Sequence, residues 1–86
     1  MGSLQVGGIR FVIYSNDHPP RHLHGFLSGT EVIVDLLADG NVALANRKDA
    51  IRPFNAKRSE VKKVLTAAAH NFEALVALWE GIHGNA

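Results

Sequence analysis

Two adjacent prolines, Pro19 and Pro20, restrict what this chain can fold into more than any other feature. Each fixes φ near −65° and removes a backbone donor, so no helix crosses them and the segment is a stiff, extended turn. What flanks the turn is extended as well. Ile9, Phe11 and Ile13 alternate with Arg10, Val12 and Tyr14, a period of two that predicts a strand over 9–14. A second strand is expected over His22–Leu27, where alternation sets His22 and His24 on one face and Leu23 on the other. A third runs Thr30–Leu37, with Val32, Val34 and Leu36 on its buried face and Glu31, Ile33 and Asp35 opposite. Ala38-Asp39-Gly40-Asn41 supplies a tight hairpin into a fourth strand, Val42–Ala45.

From Asn46 to Asn55 the pattern is polar and basic, and Pro53 breaks any helix across it, so this stretch reads as a connector. Beyond it, Val61, Leu65, Ala68, Phe72, Leu75, Trp79 and Ile82 recur at spacings of four and three, one stripe of an α-helix. Asn55 is the expected N-cap and Gly81 or Gly84 the expected stop. A single helix of roughly 25 residues would be about 38 Å long, more than so small a sheet can cover. A break is therefore expected near His70-Asn71, with Asn71 capping a second helix, although the unbroken stripe also suits continuity. The fold class is α+β: a small antiparallel sheet of about four strands, with one C-terminal helix or two packed on one face. Residues 1–8 read as a flexible lead and 9–86 as the single domain.

An 86-residue chain buries only about 60–65% of the surface it exposes when unfolded. It has no cysteine to add a disulfide or a thiolate metal site, so a homodimer or hetero-oligomer is an expected source of extra burial. The formal charge of +1 gives no overall case for nucleic acid, so any RNA binding needs a local patch. Arg47, Lys48 and Arg52, continued by Lys57, Arg58, Lys62 and Lys63, form the one candidate phosphate-binding surface. No apolar run approaches the roughly 18 residues needed to span a bilayer, and the N-terminus lacks a secretory pattern. No membrane association and a cytoplasmic location are expected.

The chemistry concentrates in Ser15-Asn16-Asp17-His18-Pro19-Pro20-Arg21-His22-Leu23-His24, which holds three of the five histidines. Several uses of it stay open. The imidazoles of His22 and His24 can simply hydrogen-bond loop carbonyls and fix the turn. With an unperturbed pKa of about 6.5 they can also exchange protons at neutral pH. In that reading Asp17 and Arg21 complete a catalytic set, and His18, Arg47, Lys48 and Arg52 bind an RNA backbone for metal-independent cleavage without a cofactor. Alternatively His18, His22 and His24 ligate zinc or another divalent transition metal, with Asp17 as ligand or as a partner behind one. A purely partner-binding loop is the remaining use. Asp17 more commonly bonds its own backbone in a turn, Tyr14 and Trp79 read as core, and His70 and His83 as solvent-facing or capping.

Gly8-Ile9-Arg10-Phe11-Val12-Ile13-Tyr14, then Asn16-Asp17-His18-Pro19-Pro20-Arg21-His22-Leu23-His24, then Glu73-Ala74-Leu75-Val76-Ala77-Leu78-Trp79-Glu80 together resemble the bacterial DUF4160 family over nearly the whole chain. The family's core string is Asp-His-x-Pro-Pro-His-x-His, and here an arginine precedes the second histidine. Thr66-Ala67-Ala68 stands where the family usually carries a tryptophan. The resemblance implies an association with small two-gene modules of the toxin–antitoxin type, and hence a cognate small protein from a neighbouring gene as partner. On that footing the chain is expected to be a component of such a module, an RNA-cleaving toxin or a non-enzymatic protein-binding partner.

Overall fold

The computed structural model describes residues 2–84. The chain runs β1 (Gly2–Val6), β2 (Ile9–Ile13), β3 (His22–Leu27), β4 (Thr30–Leu36), β5 (Val42–Leu44), β6 (Ile51–Arg52), α1 (Arg58–His70) and α2 (Phe72–His83). All ladders are antiparallel in the order β1-β2-β3-β4-β5, and β6 pairs with β4 beside β5. The expected α+β architecture holds, with two differences. The lead residues, read as flexible, form β1 against β2 in a register from Gly2↔Ile13 to Val6↔Ile9. Its one-sided apolar pattern, Leu4 and Val6 against Ser3 and Gln5, was too short to stand out beside three glycines. The connector also contributes β6, whose two residues are too few to show a period.

One face of the sheet carries the main core. Ile9, Phe11, Ile13, Leu23, Val32, Val34 and Leu36 point to the helices and meet Val64, Ala68, Leu75 and Trp79. At Gly25 the approach is closest, because a Cβ there would lie 2.5 Å from Val64 Cγ1 and 3.1 Å from Phe11 Cε1. Only glycine lets α1 cross β3 at this distance. Thr30 Oγ1 donates to Glu60 Oε1 at 2.8 Å and pins the first turn of α1 to the start of β4. The helix breaks where the length argument expects it, while the apolar stripe continues across the break. Asn71 (φ −115°, ψ 23°) ends α1 by donating its N–H to the carbonyls of Ala67 and Ala68 and its Nδ2 to Ala67, so its side chain caps α1 and not α2. The N-cap of α1 is Lys57 in place of Asn55, and Gly84, at φ 80°, is the stop of α2.

The other face holds a small second cluster, Ile33 with Ala45 and Ala50. The Ile33 N–H donates to the Ala50 carbonyl at 2.8 Å, and its carbonyl accepts from Ala45 N–H at 3.0 Å. The turn between β5 and β6 is thereby stitched to the middle of β4, which brings Arg47 over the same face as the histidines. Among the described residues no helix is long and apolar enough to cross a membrane.

Candidate metal centre

A two-residue turn at Ser28-Gly29, both at positive φ, fixes the β3–β4 register as His22↔Asp35, His24↔Ile33 and Phe26↔Glu31. Directly paired residues share a face, and diagonal neighbours lie about 7–8 Å apart. His22 and His24 therefore stand on the face away from the main core, with Asp35 and Glu31 diagonal to His24. The β2–β3 ladder ends at Val12↔His24, and the strands part beyond it. The Pro-Pro turn crosses this opening, with Pro19-Pro20 in the cis form. Tyr14 packs edge-on against His24 at 4.9 Å, and Trp79 reaches His22 at 5.6 Å between ring centroids. Both imidazoles are buried, each residue 8% exposed.

Hydrogen bonds settle which way the rings face. The carbonyl of Pro20 can only accept, so His22 Nδ1–H donates to it, at 2.9 Å. The Glu31 carboxylate accepts from His24 Nδ1–H, also at 2.9 Å. With both Nδ1 atoms committed as donors, each neutral ring carries its lone pair on Nε2. These two Nε2 atoms lie 3.5 and 3.6 Å from the same oxygen, Asp17 Oδ1. His24 Nε2 is buried without a hydrogen-bond partner among the described residues. Asp17 is held by its other oxygen, since Oδ2 accepts the Tyr14 N–H at 2.9 Å while the Asp17 N–H donates back to the Tyr14 carbonyl at 3.1 Å. Asp17 thus forms the expected turn through Oδ2 and leaves Oδ1 facing the two imidazoles.

His22, His24 and Asp17 each bring one ligand atom within 4.8 Å of the others, and both Nε2 atoms face Asp17 Oδ1. Two ligands each about 2.05 Å from a tetrahedral ion are about 3.3 Å apart, close to the spacing from Asp17 to each histidine. Behind the triad stand the acceptors that orient metal-bound histidines, a backbone carbonyl for one ring and a carboxylate for the other.

The remaining sequence candidates divide. His18 is exposed and lies in the wall of an adjoining cleft of about 390 Å³, outside the group formed by Asp17, His22 and His24. Arg47 lines the same cleft, and its Nη2 donates to Asp49 Oδ2 at 2.8 Å. This pairing raises the Arg47 pKa and lowers that of Asp49. Lys48 is exposed and is not among the cleft residues. Arg52 leaves the loop altogether, bridging Glu31 at 3.7 Å and Asp49 at 3.5 Å. Arg21 is turned away: it donates from Nε to the Leu36 carbonyl at 3.3 Å and from Nη2 to the Leu37 carbonyl at 3.0 Å. Its job is to tie the turn to the end of β4. The helical part of the basic run does not gather at the histidines either, since Lys62 and Lys63 border a groove with Val6, Ile9 and Leu27. His83, read as solvent-facing or capping, stacks on Trp79 at 4.0 Å because the last turn of α2 folds over that ring. Sequence reasoning passed over Glu31 and Asp35, which the Ser28-Gly29 turn would have set beside the histidines once the hairpin register was drawn.

Comparison with curated proteins and with solved structures returned no match. The model of the domain of unknown function DUF4160 matches residues 8–80, spanning β2 through most of α2 and the whole histidine turn, and the chain belongs to that family.

Proposed function

We propose that this protein is a metal-binding domain that holds one divalent transition ion of the zinc class on His22 Nε2, His24 Nε2 and Asp17 Oδ1. The observation that carries this reading is the convergence of two lone pairs and a carboxylate oxygen whose rings are already oriented from behind by Pro20 and Glu31. A cation between these three atoms would offset the cost of bringing them together in a largely buried site. Two imidazoles and one carboxylate suit a borderline ion and leave a coordination position for water or substrate. Metal-independent cleavage asks the two rings to act from separate sides, one giving and one taking a proton. Here both Nε2 atoms address a single oxygen, which supports the metal in place of that chemistry.

Equilibrium dialysis of the full chain against micromolar zinc tests the reading. One equivalent is retained by the wild type and by His18→Ala, and retention is lost in His24→Ala, with circular dichroism showing that all three fold. No retained zinc in the folded wild type, or equal loss in His18→Ala, overturns it.

A further inference from the structure

Asp17 and His22 line the cleft of about 390 Å³, so an ion held by them would border that space, and three other groups there would have no part in holding it. Asp35 is the direct cross-strand partner of His22, which sets their Cβ atoms about 4.5–5.5 Å apart on one face. Asp17, Glu31, Asp39 and Asp49 all accept hydrogen bonds, whereas the half-buried Asp35 carboxylate has no side-chain partner among the described residues. It is a carboxylate beside a candidate ion with nothing structural to do. Arg47 comes in from the β5–β6 turn, with Nε and Nη2 held by Asp49 and its remaining N–H groups left for another acceptor. Asn46 adds an amide to the same wall.

We infer that this cleft hydrolyses phosphate esters, with Asp35 as the base for the attacking water and Arg47 as the phosphate-holding cation, an assignment that rests on the metal reading. A guanidinium fixed by a carboxylate on one side presents a planar donor edge that matches phosphate oxygens. An ion held there would supply polarisation of a water and of a phosphoryl oxygen, and Asp35 is the group placed to take the proton the water loses. In the step the water oxygen forms a bond to phosphorus and the bond from phosphorus to the leaving oxygen breaks. The water's proton passes to Asp35, and the leaving oxygen takes a proton from solvent at the open mouth of the cleft. Asp35 then returns its proton to solvent, so no oxidant or second substrate is needed.

The test uses the zinc-loaded full chain with bis(p-nitrophenyl) phosphate, together with the visible spectrum of the cobalt-substituted protein titrated with inorganic phosphate. Expected are wild-type turnover, a fall of about 100-fold or more in kcat for Asp35→Asn at unchanged zinc affinity, and a raised KM for Arg47→Ala. Phosphate is expected to shift the cobalt spectrum of the wild type and of Asp35→Asn, and to do so more weakly in Arg47→Ala. Zinc held normally, with neither turnover nor a phosphate-dependent spectrum, overturns the inference and leaves the metal reading standing. Failure to hold zinc overturns the metal reading and this one with it. Hydrolysis by Asp35→Asn at the wild-type rate removes Asp35 from the role.

Discussion

Glu31 accepts from His24 Nδ1–H while its other oxygen faces Arg52, so it does for the buried imidazole what a carboxylate does behind a metal-bound histidine. Glu31→Gln keeps the shape and removes the charge. It is expected to weaken zinc binding about 10–100-fold, measured by competition with a chromophoric chelator, with the folded far-ultraviolet spectrum retained. Arg21 makes the opposite case. Arg21→Ala is expected to cost about 1 kcal/mol in denaturant unfolding, from the lost bonds to the Leu36 and Leu37 carbonyls, with zinc affinity unchanged. At Gly25 an added methyl meets Val64 and Phe11, so Gly25→Ala is expected to destabilise by about 1–3 kcal/mol in the same measurement. That His22 and His24 share a face followed from strand alternation alone. That Asp17, and not His18, completes the cluster depended on how the Tyr14–Asp17 turn closes, a three-dimensional fact with no period to announce it.

At the scale of elements, turns decide the site. The Ser28-Gly29 turn sets the β3–β4 register, and a one-residue slip would carry both imidazoles into the helix-side core. The β4–β5 hairpin is closed by Asp39, which accepts from Asn41 N–H at 3.0 Å and from Asn41 Nδ2 at 3.1 Å. The backbone bond first, and the side-chain bond after it, hold the Asp39 carboxyl below its usual value of 3.8. A depressed carboxyl stabilises the fold at pH values above 3.8, and the contribution is lost as pH falls through the lower folded value. In a carbon-detected titration Asp39 is expected to ionise below 3.8, and Asn41→Ala is expected to move it back toward that value. The strands on both sides of this hairpin were legible because periodicity and turn residues agreed, whereas the helix break at Asn71 followed from helix length alone, since the unbroken apolar stripe suited one helix equally. β1 and β6 were not, since five and two residues carry too little pattern, and tertiary pairing settles them.

Across the whole molecule the sheet separates two tasks. One face buries the apolar stripe of α1 and α2, and the other is roofed by the Pro-Pro turn and by the β5–β6 turn stitched to Ile33. A domain this small has a thin stability margin, and an ion bound only by the folded state raises it. At a free zinc concentration of about 100 times the dissociation constant the gain is about 2.7 kcal/mol. At about 4–8 °C per kcal/mol for a domain of this size, Tm is expected to rise by roughly 10–20 °C and to return on chelation. His22→Ala is expected to show no such shift. The connector was read as a polar, basic linker, yet it supplies Arg47 and the lid over Ile33, because what orders it is backbone bonding to β4 and not its own composition.

The most direct test of the metal centre is anomalous diffraction at the zinc edge from crystals grown with zinc. The predicted result is a single strong peak about 2.0–2.2 Å from His22 Nε2, His24 Nε2 and Asp17 Oδ1, with both Nδ1 atoms still bonded to Pro20 and Glu31. Crystals with no peak at this position, or with zinc held only by His18 or other exposed histidines, would contradict it.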